Sequence, residues 1–320
     1  MANVDESAVA VHYGGSDLRS RLFDALSRSG LDLSRLRPVD LAPVDEFHMG
    51  GRAATAEIVA RAGLTPDGRV LDIGSGLGGL VRYLASEVGC RATGLDLTPE
   101  YFAIAREFTD LTGLSDKVDF VVGSALALPF DDATFTAALT FHVGMNIADR
   151  ETKYREAFRV LRPGGKLVIY DVLKGPKPGM RFPVPWAQTQ ETSHLVTAEE
   201  MGHLLSSAGF AILHEEDRTP VVLKHHRARV AEMSAAPPPA APRAASAAGG
   251  HREGEVPEHD RDGRGRTDRA WGIHCPEGRL NGACLWRHRR RHHASGGCSA
   301  RSRRPAPRPH AATAFRAMSQ

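Results

Sequence analysis

The chain has 320 residues, of which 42% are hydrophobic and 25% are charged, and its formal net charge is +3. This length suits one large domain or two small ones, and the composition is ordinary for a soluble protein. No segment approaches the roughly 20 consecutive apolar residues of a membrane-spanning helix, and the amino terminus lacks the basic start of a secretory signal. These features argue against an integral membrane protein, and we expect a cytoplasmic one.

Charge and composition divide the chain into two parts. Residues 1–225 carry 23 Lys and Arg against 30 Asp and Glu, whereas the rest carries 18 Arg, no Lys and 8 acidic residues. The second part is rich in Ala, Pro, Gly and His, which cannot bury a core. We therefore expect a folded domain over 1–225 and a disordered tail over 226–320. Arginine without lysine is also what a GC-rich gene yields out of frame, so we expect a frameshift near residues 240–250.

Three of the four cysteines, Cys275, Cys284 and Cys298, lie in this tail. Their spacing relative to the neighbouring histidines matches no compact zinc finger, so we expect no metal site. The arginine-rich stretch 287–291 lacks interleaved aromatic residues and a folded platform, so we expect no specific nucleic-acid partner. Cys90 lies in an alternating apolar context and is predicted to be a buried thiol, which makes a disulfide framework unexpected.

The folded part begins with helical patterns. An apolar face on residues 17–28 predicts a first helix, a proline-punctuated connection follows, and a second helix is predicted over 52–62. These elements precede the first strand. Residues 1–65 are therefore predicted to form a helical lid, and residues 66–225 to form the core.

From residue 66 onward, apolar runs alternate with helical patterns. The turn Arg162-Pro163-Gly164-Gly165 is expected to stop the chain before the fifth strand. This alternation predicts an α/β fold: a Rossmann-like, doubly wound, mainly parallel sheet with helices on both faces. Strands are predicted at 69–73, 91–96, 118–122, 135–142, 166–171 and near 210–217, and helices near 78–88, 99–113, 150–161 and 197–208.

Residues 70–79, VLDIGSGLGG, are the most informative segment. An apolar run ends in Asp72 and breaks into glycines, and a second apolar run ends in Asp96. Glycines permit a tight turn and close approach of a ligand to the backbone, and an acidic residue after the second strand can accept both ribose hydroxyls. The GxGxG spacing, with an aspartate two residues before the first glycine, favours S-adenosylmethionine over a dinucleotide.

Several motifs in order carry a resemblance to a known family. Residues 72–76, Asp96 and the turns at 128–131 and 160–165 together resemble a class I S-adenosylmethionine-dependent methyltransferase. The segments EFHMGGRAAT at 46–55, DIGSGLGG at 72–79 and HVGMNI at 142–147 resemble in particular the branch that contains sarcosine/dimethylglycine and phosphoethanolamine N-methyltransferases. The resemblance covers roughly residues 40–217.

This resemblance implies a cofactor site. Ser124 departs from the family pattern, which usually has an aspartate that accepts from the adenine amino group. A hydroxyl accepts that bond with less strength than a charged group, so we expect weaker adenine anchoring. The implied contacts are Asp72, Gly74, Ser75 and Gly76 to the methionine moiety, Asp96 to the ribose, Leu97, Ser124 and Ala125 to the adenine, and Phe141 as a further cofactor contact.

The acceptor side is less defined. Phosphoethanolamine methyltransferases place a general-base histidine after the fourth strand and pair it with a tyrosine, whereas the matching positions here hold Asn146 and Glu46. An in-line displacement needs mainly a well-placed nucleophile, and a neutral amine needs no strong base, so Asn146 could orient the nucleophile. His142 at the end of the fourth strand and His48 in the lid are further catalytic candidates, and each is equally compatible with a packing role.

We expect transfer of a methyl group to a small molecule, at nitrogen rather than at oxygen or carbon. The alternative within enzymes is C- or O-methylation of a quinone or phenol. A non-catalytic nucleic-acid-binding protein of this fold would require a damaged cofactor loop, and here Asp72, Gly74, Gly76 and Asp96 are all present. No membrane partner is expected.

Three further expectations concern the surroundings of the site. Asp171 follows the fifth strand and is expected to face the substrate. The proline-stiffened segment 181–187 is expected to cover the substrate, with its aromatic residues either attracting a cation or serving as a hydrophobic latch. The resemblance also implies a last antiparallel strand between the fifth and sixth strands. Nothing between Pro237 and Gln320 has that pattern, so we expect a sheet with an exposed backbone edge.

Overall fold

A computed structural model describes residues 17–176, 179–224 and 227, together with the backbone of residues 311–319. Apart from Arg227, these residues belong to one unit, formed by Met1–His226 and Leu280–Gln320, and Arg227–Arg279 form a second unit. The cysteines, histidines and arginine-rich stretch of the tail, on which the expectations about metal and nucleic acid depend, lie outside the described residues.

Seven strands of the described chain form one sheet in the order β3-β2-β1-β4-β5-β7-β6. Their bounds are β1 Arg69–Ile73, β2 Arg91–Asp96, β3 Val118–Val122, β4 Phe135–Phe141, β5 Leu161–Lys174, β6 Ala211–Asp217 and β7 Ala311–Ser319. Every neighbouring pair is parallel, so the carboxyl ends of the strands meet at one edge. The strand order reverses between β1 and β4, which is where open α/β sheets bind ligands.

Helices flank the sheet and precede it. They are α1 Leu18–Arg28, α2 Pro38–Asp45, α3 Gly51–Ala62, α4 Gly79–Tyr83, α5 Pro99–Leu111, α6 Arg150–Val160 and α7 Ala198–Ser207. A π-helical turn, Leu84–Val88, extends α4, and residues 219–224 are helical. The longest, α5, has 13 residues, so no helix in the described part of the chain is long and apolar enough to cross a membrane.

Side-chain caps explain where two of these helices begin. The hydroxyl of Thr197 accepts from the Glu200 amide at 3.2 Å, while the Glu200 carboxylate accepts from the Thr197 amide at 2.7 Å. This reciprocal capping box starts α7. The Asp149 carboxylate accepts from the Thr152 amide at 2.9 Å and starts α6 at the carboxyl edge of the sheet.

The core lies on both faces of the sheet, because successive strand residues point in opposite directions. Val70 packs with α3, α4 and α5, whereas Leu71 packs with α6 and α7. Asp72 therefore points toward the α3 face. By the same alternation Tyr170 lies on the α3 face and Asp171 points toward α6.

The predicted fold class is confirmed, and two predicted connections are wrong. The turn 162–165 does not stop the chain before the fifth strand, because β5 begins at Leu161 and pairs there with Phe135 before the register shifts. The proline-punctuated connection of the lid contains helix α2. Pro38 occupies its first turn, where a missing N–H costs nothing, and Pro43 lies inside it.

The prediction that the tail adds no strand is also wrong. β7 lies between β5 and β6 and pairs in parallel with both, so the β5 edge is not exposed. The segment AATAFRAMS has four alanines in nine residues and no alternation of apolar and polar residues, which explains why the pattern gave no strand signal. The orientation also differs from the expected antiparallel one.

Candidate active site

The loop between β1 and α4 has a backbone that glycine adopts most easily. Gly74, Gly76 and Gly78 have φ values of 84°, 52° and 82°. A Cβ atom on Gly74 would collide with the Val143 side chain, whereas one on Gly76 would meet nothing within 4 Å. The loop therefore leaves open space at Gly76, beside the carboxyl end of β1.

Asp96 holds the other side of this loop. Its Oδ2 accepts from the Gly76 amide at 2.8 Å and its Oδ1 accepts from the Thr98 amide at 2.9 Å. Burial raises the pKa of the Asp96 carboxyl, and these amide hydrogen bonds oppose that shift. These bonds fix the orientation of the carboxylate, a group that accepts hydrogen bonds from hydroxyl groups.

Asp72 is a second buried carboxylate of the loop, with 2% of its surface exposed. Burial raises the pKa of the Asp72 carboxyl well above its ordinary value, and the charges of Asp96 and Glu46 raise it further. Carboxylates gathered in a buried site are unfavourable without a cation. A ligand that carries positive charge would relieve this repulsion.

The lid packs directly on the glycine loop. A Cβ atom on Gly79 would lie 2.8 Å from the Asp45 carbonyl oxygen and 2.9 Å from Glu46 Cγ, so no side chain fits there. Arg82 is fully buried and donates to Asp45 Oδ2 at 2.6 Å and to the Leu77 carbonyl at 2.5 Å. One guanidinium thus joins the lid to the loop.

Glu46, His48 and Thr55 form a buried polar group above the carboxyl ends of the strands. Only 1% of the Glu46 side chain and 9% of the His48 side chain are exposed. Glu46 Oε2 lies 3.1 Å from His48 Nε2 and accepts a short hydrogen bond from Thr55 Oγ1. Thr55 Oγ1 in turn lies 3.0 Å from His48 Nε2.

Glu46 Oε1 is buried and has no hydrogen-bond partner among the described residues. Its ion-pair partner is Arg52, 3.9 Å away, and that guanidinium makes a shorter bond of 2.9 Å to Glu87. The charge of Glu46 is therefore only partly compensated inside the site.

Four rings meet beside this polar group. The His48 centroid lies 5.5 Å from Phe141, 6.0 Å from His142 and 5.9 Å from Tyr170, and His142 lies 4.9 Å from Tyr170. Within the part of the chain that the structure describes, His142 Nε2 is buried without a hydrogen-bond partner. Burial, with a smaller effect of His48, lowers the pKa of His142 to about 3, so this imidazole is neutral near pH 7.

The structure brings three of the four predicted catalytic residues into contact, and the fourth bonds to the segment 181–187. Glu46, His48 and His142 lie within one group, whereas Asn146 lies in a 3₁₀ turn, Gly144–Asn146, and donates from Nδ2 to the Trp186 carbonyl at 2.7 Å. This bond fastens the loop after β4 to the segment 181–187.

The expectation that Asp171 faces the substrate is wrong. Asp171 is 1% exposed and forms a 3.3 Å ion pair with Arg150 of α6. Strand alternation directs Asp171 to the face of the sheet opposite Asp72, where it packs against the loop after β4. A Cβ atom on Gly144 would collide with this pair, which shows how closely the loop lies on it.

The segment 181–187 packs as a hydrophobic latch. Trp186 is 5% exposed and belongs to an apolar cluster with Met145 and Val172, against which Met49 of the lid packs. Its indole N–H donates to Ser193 Oγ at 3.0 Å. Of the two predicted roles for this segment, the apolar contacts support the latch.

The predicted adenine contacts follow β2 and β3 at the same edge. Leu97, Ser124 and Ala125 are partly exposed, and Ser124 Oγ accepts from the Leu126 amide at 3.0 Å. The side chain of Ser75 packs against Gly94 of β2, where no Cβ atom would fit. Phe141 is 7% exposed, and its ring centroid lies 5.5 Å from that of His48 in the lid.

Sequence reasoning missed Thr55, Arg82 and Tyr170. Each is a polar residue on an otherwise apolar buried surface: Thr55 among the buried residues of α3, Arg82 in the run GLVRYL and Tyr170 in β5. A single polar residue in an apolar pattern could have indicated these contacts, because a buried polar group needs a hydrogen-bond or ion-pair partner.

Comparisons with known proteins agree with this geometry. A family model described as "Methyltransferase domain" matches residues 71–169. Phosphoethanolamine N-methyltransferase 1 of Arabidopsis thaliana is 34% identical over 185 residues, which are 57% of this chain and 37% of that protein. Sterol 24-C-methyltransferase of Eremothecium gossypii is 35% identical over 111 residues, which are 35% of this chain and 30% of that protein. The chain thus spans about a third of the length of these relatives.

Among solved structures, phosphoethanolamine N-methyltransferase 2 of Haemonchus contortus, in complex with S-adenosyl-L-methionine, is similar with a TM-score of 0.52 and 26% identity. The similarity covers 60% of this chain and 45% of that one. Fold, glycine loop and these matches define a class I S-adenosylmethionine-dependent methyltransferase domain. Several of the relatives within that class are phosphoethanolamine N-methyltransferases.

Proposed function

We propose that this protein transfers the methyl group of S-adenosylmethionine to a small-molecule amine. The observation that carries the proposal is the gathering of Asp72, Asp96 and Glu46 at the carboxyl ends of β1 and β2, with their charges incompletely matched by nearby cations. Such a site favours ligands that carry positive charge, which S-adenosylmethionine and a protonated amine both do.

The residues of this chain fit the cofactor. We assign the ribose hydroxyls to Asp96, the methionine moiety to Asp72, Gly74, Ser75 and Gly76, and the adenine to Leu97, Ser124 and Ala125, with Phe141 closing the site. Open space at Gly76 beside a fixed carboxylate supports this assignment. Bound S-adenosylmethionine would supply a methyl group activated by a sulfonium.

We further propose that the loop after β4 positions the acceptor. His142 presents a neutral imidazole, and Asn146 holds the loop against Trp186. An alanine at either position should lower turnover while cofactor affinity stays within about twofold of wild type. Wild-type turnover in both variants would remove this loop from the acceptor site.

A small-molecule acceptor is consistent with a cytoplasmic enzyme, and so is the free, buried thiol of Cys90. The predicted burial of this thiol is confirmed, with none of its surface exposed. The proposed partner is a small molecule rather than nucleic acid or a membrane.

The test is product analysis with methyl-labelled S-adenosylmethionine. Purified full-length protein is incubated with phosphoethanolamine, sarcosine and dimethylglycine as amines, and with a catechol and a quinol as oxygen and carbon acceptors. Labelled N-methyl product that is absent with Asp96→Ala protein would support the proposal. Label only on a catechol or quinol would replace it with the second candidate.

That second candidate is C- or O-methylation. Sterol 24-C-methyltransferases are among the relatives at 35% identity, so the matched region also occurs in proteins named for methylation at carbon. The buried carboxylate of Glu46 favours the amine, because a carbon acceptor brings no positive charge to the site.

A further inference from the structure

We propose that Glu46 and His48 form the proton-accepting pair of this site and select acceptors that arrive as ammonium ions. The inference rests on the proposed amine methylation and adds to it the group that removes the proton. Both residues belong to the lid, and the positions that match the tyrosine and the histidine base of the resemblance hold Glu46 and Asn146 instead.

The geometry fixes which nitrogen of His48 is available. Nε2 lies 3.1 Å from Glu46 Oε2 and 3.0 Å from Thr55 Oγ1, so this nitrogen is engaged with the carboxylate. Nδ1 lies 3.5 Å from the Met49 carbonyl oxygen, which is too far for a strong hydrogen bond. Nδ1 can therefore receive a proton and then donate a hydrogen bond to that carbonyl oxygen, while the carboxylate compensates the new charge.

The Glu46–His48 pair lies between the glycine loop, which we assign to the cofactor, and the end of β4, which we assign to the acceptor. On one side, Glu46 touches the glycine loop at Gly79 and its charge acts on Asp72. On the other side, the His48 ring contacts His142 and Phe141 at the end of β4. A proton acceptor at this point serves a nucleophile held between the cofactor loop and the loop after β4.

His142 does not compete for this role. Its Nε2 is buried without a partner, and no carboxylate is hydrogen-bonded to its ring in the described chain. The charged or titratable groups that face His48 are Glu46, His142 and Tyr170, with Arg52 beyond Glu46. Of these, only the carboxylate favours a protonated imidazole.

The acceptor ammonium gives one proton to His48 Nδ1, which leaves a nitrogen lone pair. That lone pair forms the new nitrogen–carbon bond as the carbon–sulfur bond breaks, and the electrons of the broken bond stay on sulfur. His48 then releases its proton to solvent.

The experiment compares wild-type protein with Glu46→Gln and His48→Asn in methyl transfer to the amine acceptor between pH 7 and pH 10. General-base catalysis contributes about 100- to 10,000-fold, so both variants should lose at least about 100-fold in turnover at pH 7. An aliphatic amine loses its own proton near pH 10, so this deficit should shrink at least about tenfold by pH 10. Glu87→Gln, which removes an exposed carboxylate that also pairs with Arg52, is the matched control and should retain activity.

A purely structural role predicts a different result. A deficit that stays constant from pH 7 to pH 10 would overturn the inference and leave amine methylation standing. A Glu46→Gln protein whose affinity for S-adenosylmethionine falls more than tenfold would assign Glu46 to the cofactor instead. Absence of N-methyl product from wild-type protein, with cofactor binding intact, would overturn the proposed function itself.

Discussion

Buried charged residues of this domain fall into two kinds. Arg82 and Asp45 compensate each other, as do Arg150 and Asp171, with less than 3% of each side chain exposed. Lys153 forms no ion pair with a described residue: it is 1% exposed, its Nζ makes no hydrogen bond within the described part of the chain, and it lies 5.6 Å from the centroid of the Tyr154 ring. A buried ammonium without a carboxylate or hydrogen-bond partner lowers the stability of the folded state.

Lys153 gives a prediction for the pH dependence of stability. Burial, opposed by Asp171 and reinforced by Arg150, lowers the pKa of Lys153 to about 8 from 10.5. The folded state therefore binds this proton less tightly than the unfolded state. The resulting loss in the free energy of unfolding is complete below pH 8 and disappears as the pH rises to 10.5. Lys153→Met should raise the free energy of unfolding by up to about 3 kcal/mol at pH 7 and by almost nothing near pH 10.5.

Urea unfolding at pH 7 and pH 10 measures this difference, with exposed Lys174→Met as the control. A Lys153→Met protein that is less stable than wild type at pH 7 would show that the ammonium has a stabilising partner after all.

At the scale of elements, the Arg82 guanidinium joins the lid to the glycine loop and to α5. Arg82 reaches from α4 to Asp45 at the end of α2, to the Leu77 carbonyl in the glycine loop, and to the Ala105 carbonyl and Thr109 hydroxyl of α5. The residue after Asp45 is Glu46, so the same contact positions the carboxylate that we assign to proton transfer.

Removing one member of a buried ion pair leaves the other uncompensated, at a cost of about 3–5 kcal/mol. Asp45→Asn and Arg82→Met should each lower thermal stability and weaken cofactor binding, because the lid is released from the loop. The double variant should lose less than the sum of the single losses, since neither charge remains. A double-mutant cycle by chemical unfolding tests this, and additive losses would mean that the two groups act independently.

Much of this architecture follows from the sequence. Alternating apolar runs and helical patterns predicted six strands and their helices to within a few residues, because each run must cover one face of the sheet. The glycine loop and Asp96 were also predictable, since glycine adopts the left-handed backbone conformation of Gly74 and Gly76 most easily. The pairing of Glu46 with Thr55 was not, because it depends on how the lid folds back onto the sheet.

Strand β7 was likewise not predictable from the sequence, because it depends on tertiary packing. An alanine-rich segment has little intrinsic strand preference, and its pairing is decided by the space between β5 and β6. Asp171 shows a related limit: its position after an apolar run was readable, whereas the face on which it lies depends on the register of β5.

For the whole molecule, β7 joins the last strand to the rest of the sheet. It pairs with β5 over nine residues, from Lys166 opposite Ala311 to Lys174 opposite Ser319. A protein that ends at residue 310 would expose unpaired backbone on β5 and separate β6 from the sheet, which favours aggregation.

We therefore expect the protein that ends at residue 310 to melt at least about 5 °C below the full chain and to form oligomers in sedimentation experiments. Ala314→Pro removes one backbone donor from the centre of the strand and should lower Tm in the same direction, whereas Ala314→Ser keeps the donor and should not. Unchanged melting of the shortened protein would show that β7 adds nothing to the sheet. Resequencing the gene would test the predicted frameshift near residues 240–250 separately.

The central claim is that the carboxyl ends of β1 and β2 bind S-adenosylmethionine. Isothermal titration calorimetry of full-length protein with S-adenosylmethionine, comparing wild type, Asp96→Ala and the exposed control Asp119→Ala, tests it most directly. Two hydrogen bonds to a charged group are worth about 1.5–3 kcal/mol each, so Asp96→Ala should weaken binding at least about 100-fold while Asp119→Ala binds like wild type. No binding to wild-type protein, or equal affinity in all three proteins, would contradict the account.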